Sequence, residues 1–312
     1  VLTNGRCLVL TQVVDSGTTG RYACVLLDTG LYVYSASEGI IRELSAGAPP
    51  AGLREPVCAT AHHRGSMWAI DAFSSTVKCY FELTGYVGRF LIPSDNPSSV
   101  LLPRAIAVIG YPRLLYIACY DFTEHRARVI VCDTAGHLHG VWRWTEDSPA
   151  PWDWIFDIAI NDRGLLIYAY SGGESTGKSW VELRRLDGTL AHVGLLRSES
   201  DASPLWYACR SVIGAGPKAY ALAPGSEPHS VSLVRLGYDC SVELERPGVE
   251  TQIPEPYLRL GHFARQACIW GMQIDGTRPG HAYLFDGSLN ITQVYQQTPG
   301  PEAGVWRPRG LT

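Results

Sequence analysis

"LLYIACYDFTEHRARVIVCDTAGHLHGVW", residues 114–142, is the stretch whose reading decides the fold. An apolar run, "LLYIACY", gives way to a polar loop at 121–126. A second run, "RVIVC", ends at the turn "DTAG" (133–136), and a third closes on "HLHGVW". Apolar runs bounded by turn residues read as strands. The runs are nearly continuous rather than alternating, which is the pattern of strands covered on both faces. One such hairpin array cannot cover itself, so it needs similar sheets stacked on either side.

Those sheets are present in the sequence. The same order recurs at 66–91, 165–196, 218–244 and 266–295, and more loosely at 22–44. Gly39, Gly85, Gly136, Gly188, Gly237 and Gly287 mark the second turn of each unit, at intervals of 46 to 52 residues. A further apolar segment precedes each unit: "CLVLTQVV", "PVCATAHH", "RAIAVIG", "IFDIAIN", "YACRSVIG" and "LRLGHFA". Four short strands repeated at this spacing predict a blade of a β-propeller, whose radial closure leaves only short edges. The expectation is one all-β domain of six four-stranded blades, near 7–45, 56–92, 104–142, 155–196, 207–245 and 258–295. Residues 297–312 read as a tail. The Pro- and Ser-rich stretches 92–99, 145–152, 198–204 and 245–256 read as blade-to-blade connections.

Composition agrees. The 312 residues include 32 Gly and 20 Pro with only 18 % charged side chains, which suits a turn-rich β protein. Net charge is −4, without the basic excess of a nonspecific nucleic-acid binder. No run of 18 apolar residues marks a membrane span, and no secretory leader is visible behind Val1. Nine cysteines lack C-x-x-C spacing, and most lie inside apolar runs, as core thiols do. They favour a reducing compartment; the sequon at Asn290–Thr292 keeps a secreted origin open. The compartment stays unassigned.

Residues 68–90 and 116–142, with "RAIAV" (104–108) ahead of the latter, resemble NHL repeats, the blades of six-bladed propellers. Asp71, Asp121, Asp133 and Gly136 match the pattern of a loop Asp and a D-x-x-G turn. Ser171 departs from it, and the last two units match only in outline, so about half the chain is covered. The resemblance implies a recognition module that binds protein or RNA on one face. The acidic balance makes RNA the weaker branch, and a few related propellers are enzymes.

Several strings invite a chemical reading. Gly172–Ser179 satisfies G-x-x-x-x-G-K-[ST], the phosphate loop. Such a loop needs a helix whose N-terminus faces the phosphate. "SWVELRRL" instead reads as the next blade strand, so the motif is expected to be a hairpin loop. "DTAG" occupies the repeat's turn and precedes the motif, the reverse of the order in GTPases. His62 and His63 point to opposite strand faces, and His125 stands alone; His137 and His139 share a face without a further ligand. No metal or cofactor is expected. Asp71, Asp121 and Asp157 could be gathered at a propeller axis for hydrolysis, a separation set by the tertiary fold alone. The aromatic cluster is the stronger lead. Trp142, Arg143, Trp144, Trp152 and Trp154 flank one connection, and Trp206 heads the next. Each of the pairs Trp142/Trp144 and Trp152/Trp154 would share a strand face, either packing between blades or forming a recognition surface. The leading expectation is noncatalytic recognition of a protein partner; a lectin, a hydrolase or lyase, and an RNA-binding module are the alternatives.

Overall fold

A computed structural model describes residues 7–15, 21–27, 30–35, 39–45, 51–54, 56–61, 66–81, 85–109, 113–172, 177–199, 210–216, 218–225, 230–253, 257–263, 266–272, 281–297 and 306–309. The described strands form antiparallel sheets, each built from consecutive strands. The first holds β1 (Cys7–Asp15), β2 (Arg21–Leu27), β3 (Gly30–Ser35) and β4 (Gly39–Glu43); the second β5 (Pro56–Ala61), β6 (Ser66–Asp71), β7 (Thr76–Phe81) and β8 (Gly85–Leu91). β9 (Leu101–Ile109), β10 (Leu114–Asp121), β11 (Arg126–Asp133) and β12 (Leu138–Trp142) make the third. The fourth contains β13 (Trp154–Asn161), β14 (Gly164–Ser171), β15 (Gly177–Arg184) and β16 (Leu190–Glu199), and the fifth β17 (Ser211–Ala215), β18 (Lys218–Pro224), β19 (Val231–Leu236) and β20 (Val242–Arg246). In the last come β21 (Tyr257–Phe263), β22 (Gln266–Met272), β23 (His281–Phe285), β24 (Ile291–Gln297) and β25 (Trp306–Arg309).

The first strands of successive sheets lie side by side, β1 against β5, β5 against β9, and on through β13 and β17 to β21, which returns to β1. This is a β-propeller, with those strands around its axis. Five sheets are four-stranded blades. The sixth sheet departs from the four-strand expectation, because part of the supposed tail pairs as β25 along β24. Pro308 cannot donate to a ladder, and it is tolerated there because β25 is an edge. The third blade also begins earlier than 104. Pro103 lies within β9, on the axis-facing edge of its sheet, and Arg104 is the unpaired residue of a bulge beside it.

The core lies between blades, and strand alternation assigns each side chain to one layer. Leu115, Ile117 and Cys119 of β10 pack toward the second blade with Trp68, Ile70 and Val77. Their neighbours Tyr116 and Ala118 face the fourth blade with Ile158, Ile167 and Trp180. The continuous apolar runs are thereby explained: both faces of each central strand are buried.

Turn chemistry repeats too. Asp133 Oδ1 accepts from the N–H groups of Ala135 and His137; Asp187, Asp239 and Asp286 make the same kind of bond at the corresponding turns. The left-handed residue of these turns is Gly136 (φ 90°), Gly188 (φ 90°), Cys240 (φ 62°) and Leu289 (φ 64°). Gly237 and Gly287 therefore occupy earlier turn positions than Gly136 and Gly188.

Candidate functional site

Strand register defines two faces. At the upper face the second strand of a blade meets the third: Asp121 pairs with Arg126, and Ser171 with Lys178. The connections between blades emerge there as well. The hairpin turns of Asp133, Asp187, Asp239 and Asp286 form the lower face.

The tryptophans of 142–154 separate on folding. Trp152 is fully buried, its indole N–H on Glu182 Oε1 at 3.0 Å and the Arg184 guanidinium over its ring. It packs between the third and fourth blades and presents nothing to a partner. Trp154, half-buried at the start of β13, packs partly against the layer between the fourth and fifth blades and also meets Tyr120 and Arg104 of the third, whereas Trp152 precedes β13 and is buried between the third and fourth. Trp142 is half-buried against Tyr116 and the turn at Gly188. Trp144 is 37 % exposed, and Arg143 bonds Asp95 Oδ2 at 2.7 Å and Glu124 at 3.4 Å. Trp206 lies outside the described residues.

A second arrangement, not visible in the sequence, runs across the upper face to the axis. The Phe122 ring meets Tyr120 at 5.1 Å, Tyr120 meets Trp154 at 5.1 Å, and Arg104 stands 4.3 Å over Trp154. Arg210, at the entry to the fifth blade, covers Phe156 of the fourth at 4.1 Å. Below lies an axial cavity of about 110 Å³, lined by inner-strand residues including Cys58, Ala105, Asp157, Val212 and Leu260. Burial pushes the Cys58 thiol up, and the nearby Asp157 adds to that. Asp157 accepts from Ser211 Oγ at 2.7 Å, Val212 N–H at 3.0 Å and Ile158 N–H at 2.9 Å. Burial raises its carboxyl above the usual range, although Arg259 and these bonds pull the other way. Spacing could not reveal this site, because bulges and ring closure bring its residues together.

The other two carboxylates do not join Asp157. Asp71 pairs with Lys78 at 2.8 Å inside the second blade, and Asp121 pairs with the buried Arg128, which also meets Glu124 at 2.8 Å. These are the same position in two repeats: a loop Asp neutralised by a cation on the third strand. In the fourth blade Ser171 and Trp180 replace that pair.

The phosphate-loop string divides between two strands. Ser171 ends β14 and Gly177–Ser179 begin β15, so a strand follows the motif where a phosphate loop needs a helix. Residues 173–176 lie outside the described ones. Asp153 holds the near end, accepting from Ser171 Oγ and Gly172 N–H at 2.9 Å. The hairpin and the 143–153 connection thus share the upper face. "DTAG" is a blade turn, with His137 Nδ1 on Asp133 Oδ2 at 2.8 Å. Burial pushes the Asp133 carboxyl up, but the bonds from His137 and Ala135 together outweigh it and hold it at about 2. Among the described residues no three His, Cys, Asp or Glu side chains converge as a metal site. His62 and His63 lie outside them. Among the described residues six cysteines are free thiols, Cys79 half-buried and Cys58, Cys119, Cys132, Cys240 and Cys268 buried. No described helix is long and apolar enough to cross a membrane.

No known protein family matches the chain, and no curated protein sequence does. Solved structures do. Virginiamycin B lyase from Staphylococcus aureus is similar over 94 % of this chain and 91 % of its own, at 11 % identity and a TM-score of 0.56. U3-55K is similar over 97 % and 90 %, at 11 % identity and 0.56. The WD40 repeats of RRP9 match over 99 % and 97 %, at 9 % identity and 0.56. At such identities the likeness shows the fold alone: a β-propeller shared by a lyase and by WD40-repeat proteins.

Proposed function

We propose that the chain is a single propeller domain that recognises a protein partner through its upper face, without catalysis. One observation carries the reading. Phe73, Leu91, Val100 and Phe122 are 64 %, 70 %, 62 % and 49 % exposed, and all lie on that face of the second and third blades. They form two pairs: Phe122 N–H bonds Val100 O at 3.0 Å, and Ile92 N–H bonds Ser75 O at 2.9 Å beside Leu91 and Phe73. Trp144 and Arg143 border them. Single exposed apolar residues need no explanation, but paired ones gathered on one face mark an interaction site. Aromatics with arginine are the usual anchors of such sites. The resemblance of 68–90 and 116–142 to NHL repeats, modules that recognise protein or RNA on one face, supports the same reading. So does the separation of Asp71, Asp121 and Asp157, which keeps apart the three carboxylates that an axial hydrolase site would gather.

The test compares quantitative affinity capture by the wild type, by Phe122→Asp, and by Leu186→Asp on the lower face, each checked for native melting. A prey kept by Leu186→Asp and lost by Phe122→Asp is the expected outcome. Equal capture by all three overturns the reading.

A further inference from the structure

The inner strands bring two guanidinium groups to the upper mouth of the axial channel. Arg104 protrudes from the bulge of β9, exposed, over the Trp154 ring. Arg259 sits on β21, one residue before Leu260, which lines the cavity; its Nη1 donates to Arg210 O at 3.1 Å. Partial burial holds the Arg104 pKa down, and the charge of Arg259 adds to the effect, so the two cations feel each other. Arg126, Arg128, Arg143 and Arg184 each meet a carboxylate. Among the described residues neither Arg104 nor Arg259 does. Asp157, whose carboxyl feels the charge of Arg259, has its oxygens engaged by Ser211, Val212 and Ile158. Even with Asp157 nearby, the mouth therefore carries two guanidinium groups that no described carboxylate pairs with, in a concave, partly desolvated setting where field lines concentrate.

We propose that the channel mouth receives a carboxylate from the protein partner, an acidic side chain or a chain terminus, with Trp154, Tyr120 and Phe122 bedding the apolar residue next to it. This inference rests on the upper-face reading and specifies its ligand. Cavity size favours one side chain over a free small molecule: about 110 Å³ lies well below the roughly 300–1,000 Å³ of pockets that enclose a whole ligand. Small walls at Ala59, Ala105, Ala107 and Gly214 leave room for the stem. The aromatic track leads from the mouth toward the third blade's rim.

Fluorescence anisotropy with labelled peptides tests this. One peptide alternates Glu and Phe with an amidated terminus, the second has Gln for Glu, and the third is the Gln peptide with a free carboxylate. The Glu peptide should bind and weaken with salt, while the amidated Gln peptide fails. Binding of the third assigns the site to termini as well as side chains. Arg104→Gln with Arg259→Gln should weaken the Glu peptide by about tenfold or more. Equal binding of the Glu and amidated Gln peptides overturns the proposal, as does full binding by a natively melting double variant. The wild-type comparison decides even where that variant misfolds. Should the peptides fail while Phe122→Asp still loses its prey, the channel inference falls and the upper-face reading stands.

Discussion

Trp152 and Trp180 donate their indole N–H groups to the same oxygen, Glu182 Oε1, at 3.0 and 2.8 Å. The other oxygen takes Arg184 Nε at 2.9 Å, and Arg184 reaches on to Gly188 O and Ser148 Oγ. Trp180, Glu182 and Arg184 are two residues apart on one strand, so all three face the third blade. The cluster clamps the 145–152 connection to the fourth blade in place of the Asp–cation pair used by the second and third blades.

Glu182→Gln should therefore be strongly destabilising despite its shape. The amide oxygen can still accept both indoles, but the amide NH₂ then faces Arg184 Nε–H, leaving a buried cation uncompensated. Removing one partner of a buried pair costs roughly 3–5 kcal/mol. Urea denaturation measures it; a loss under about 1 kcal/mol would show that the pair contributes little.

Turn position, not residue type, should govern substitutions on the lower face. Gly136→Ala and Gly188→Ala place a Cβ 2.6 Å from Phe90 and 2.9 Å from Trp142 at φ near 90°, and each should cost more than about 1 kcal/mol. Leu289 shares that left-handed position, yet its side chain is fully buried in the layer between the fifth and sixth sheets. Leu289→Gly relieves strain but removes a core side chain worth about 2–5 kcal/mol, so it too should destabilise. Melting curves that rise for Leu289→Gly would contradict this.

These turns show what sequence can carry. Blade strands were legible in "LLYIACYD" and "RVIVC" because burial on both faces leaves continuous apolar runs. The upper-face position of Gly172–Ser179 was legible from the repeat. Gly237 and Gly287 misled, since Cys240 and Leu289 hold the left-handed position and gain burial in exchange for strain. Trp152 and Trp154 could not be told apart, because spacing does not say where a strand starts. Arg104 and Arg259 were invisible as a pair: only closure of the ring makes them neighbours.

Deleting residues 306–312 should expose the long edge of β24, now paired from Val294 to Gln297 with β25. Unpaired edges template association. The truncated chain should melt lower and show a concentration-dependent increase in sedimenting mass. A monodisperse product with unchanged melting would mean that β25 adds neither protection nor stability.

Asp157→Asn tests the electrostatics of the channel mouth. Burial raises the Asp157 carboxyl, so the folded chain holds its proton to higher pH than the unfolded chain does. The group's favourable contribution is thus complete below the unfolded value of about 4 and declines as pH climbs through the folded one. Asparagine removes that decline while its oxygen can still accept from Val212 N–H. Stability of the variant relative to wild type should therefore improve from pH 4 toward neutrality. Above the folded value, where Asp157 is ionised, its charge acts on Arg259, so there the variant should bind the acidic peptide more tightly than the wild type. The gain should shrink in high salt, where exposed charges are screened. Unchanged or weaker binding would place the peptide's carboxylate away from the axis.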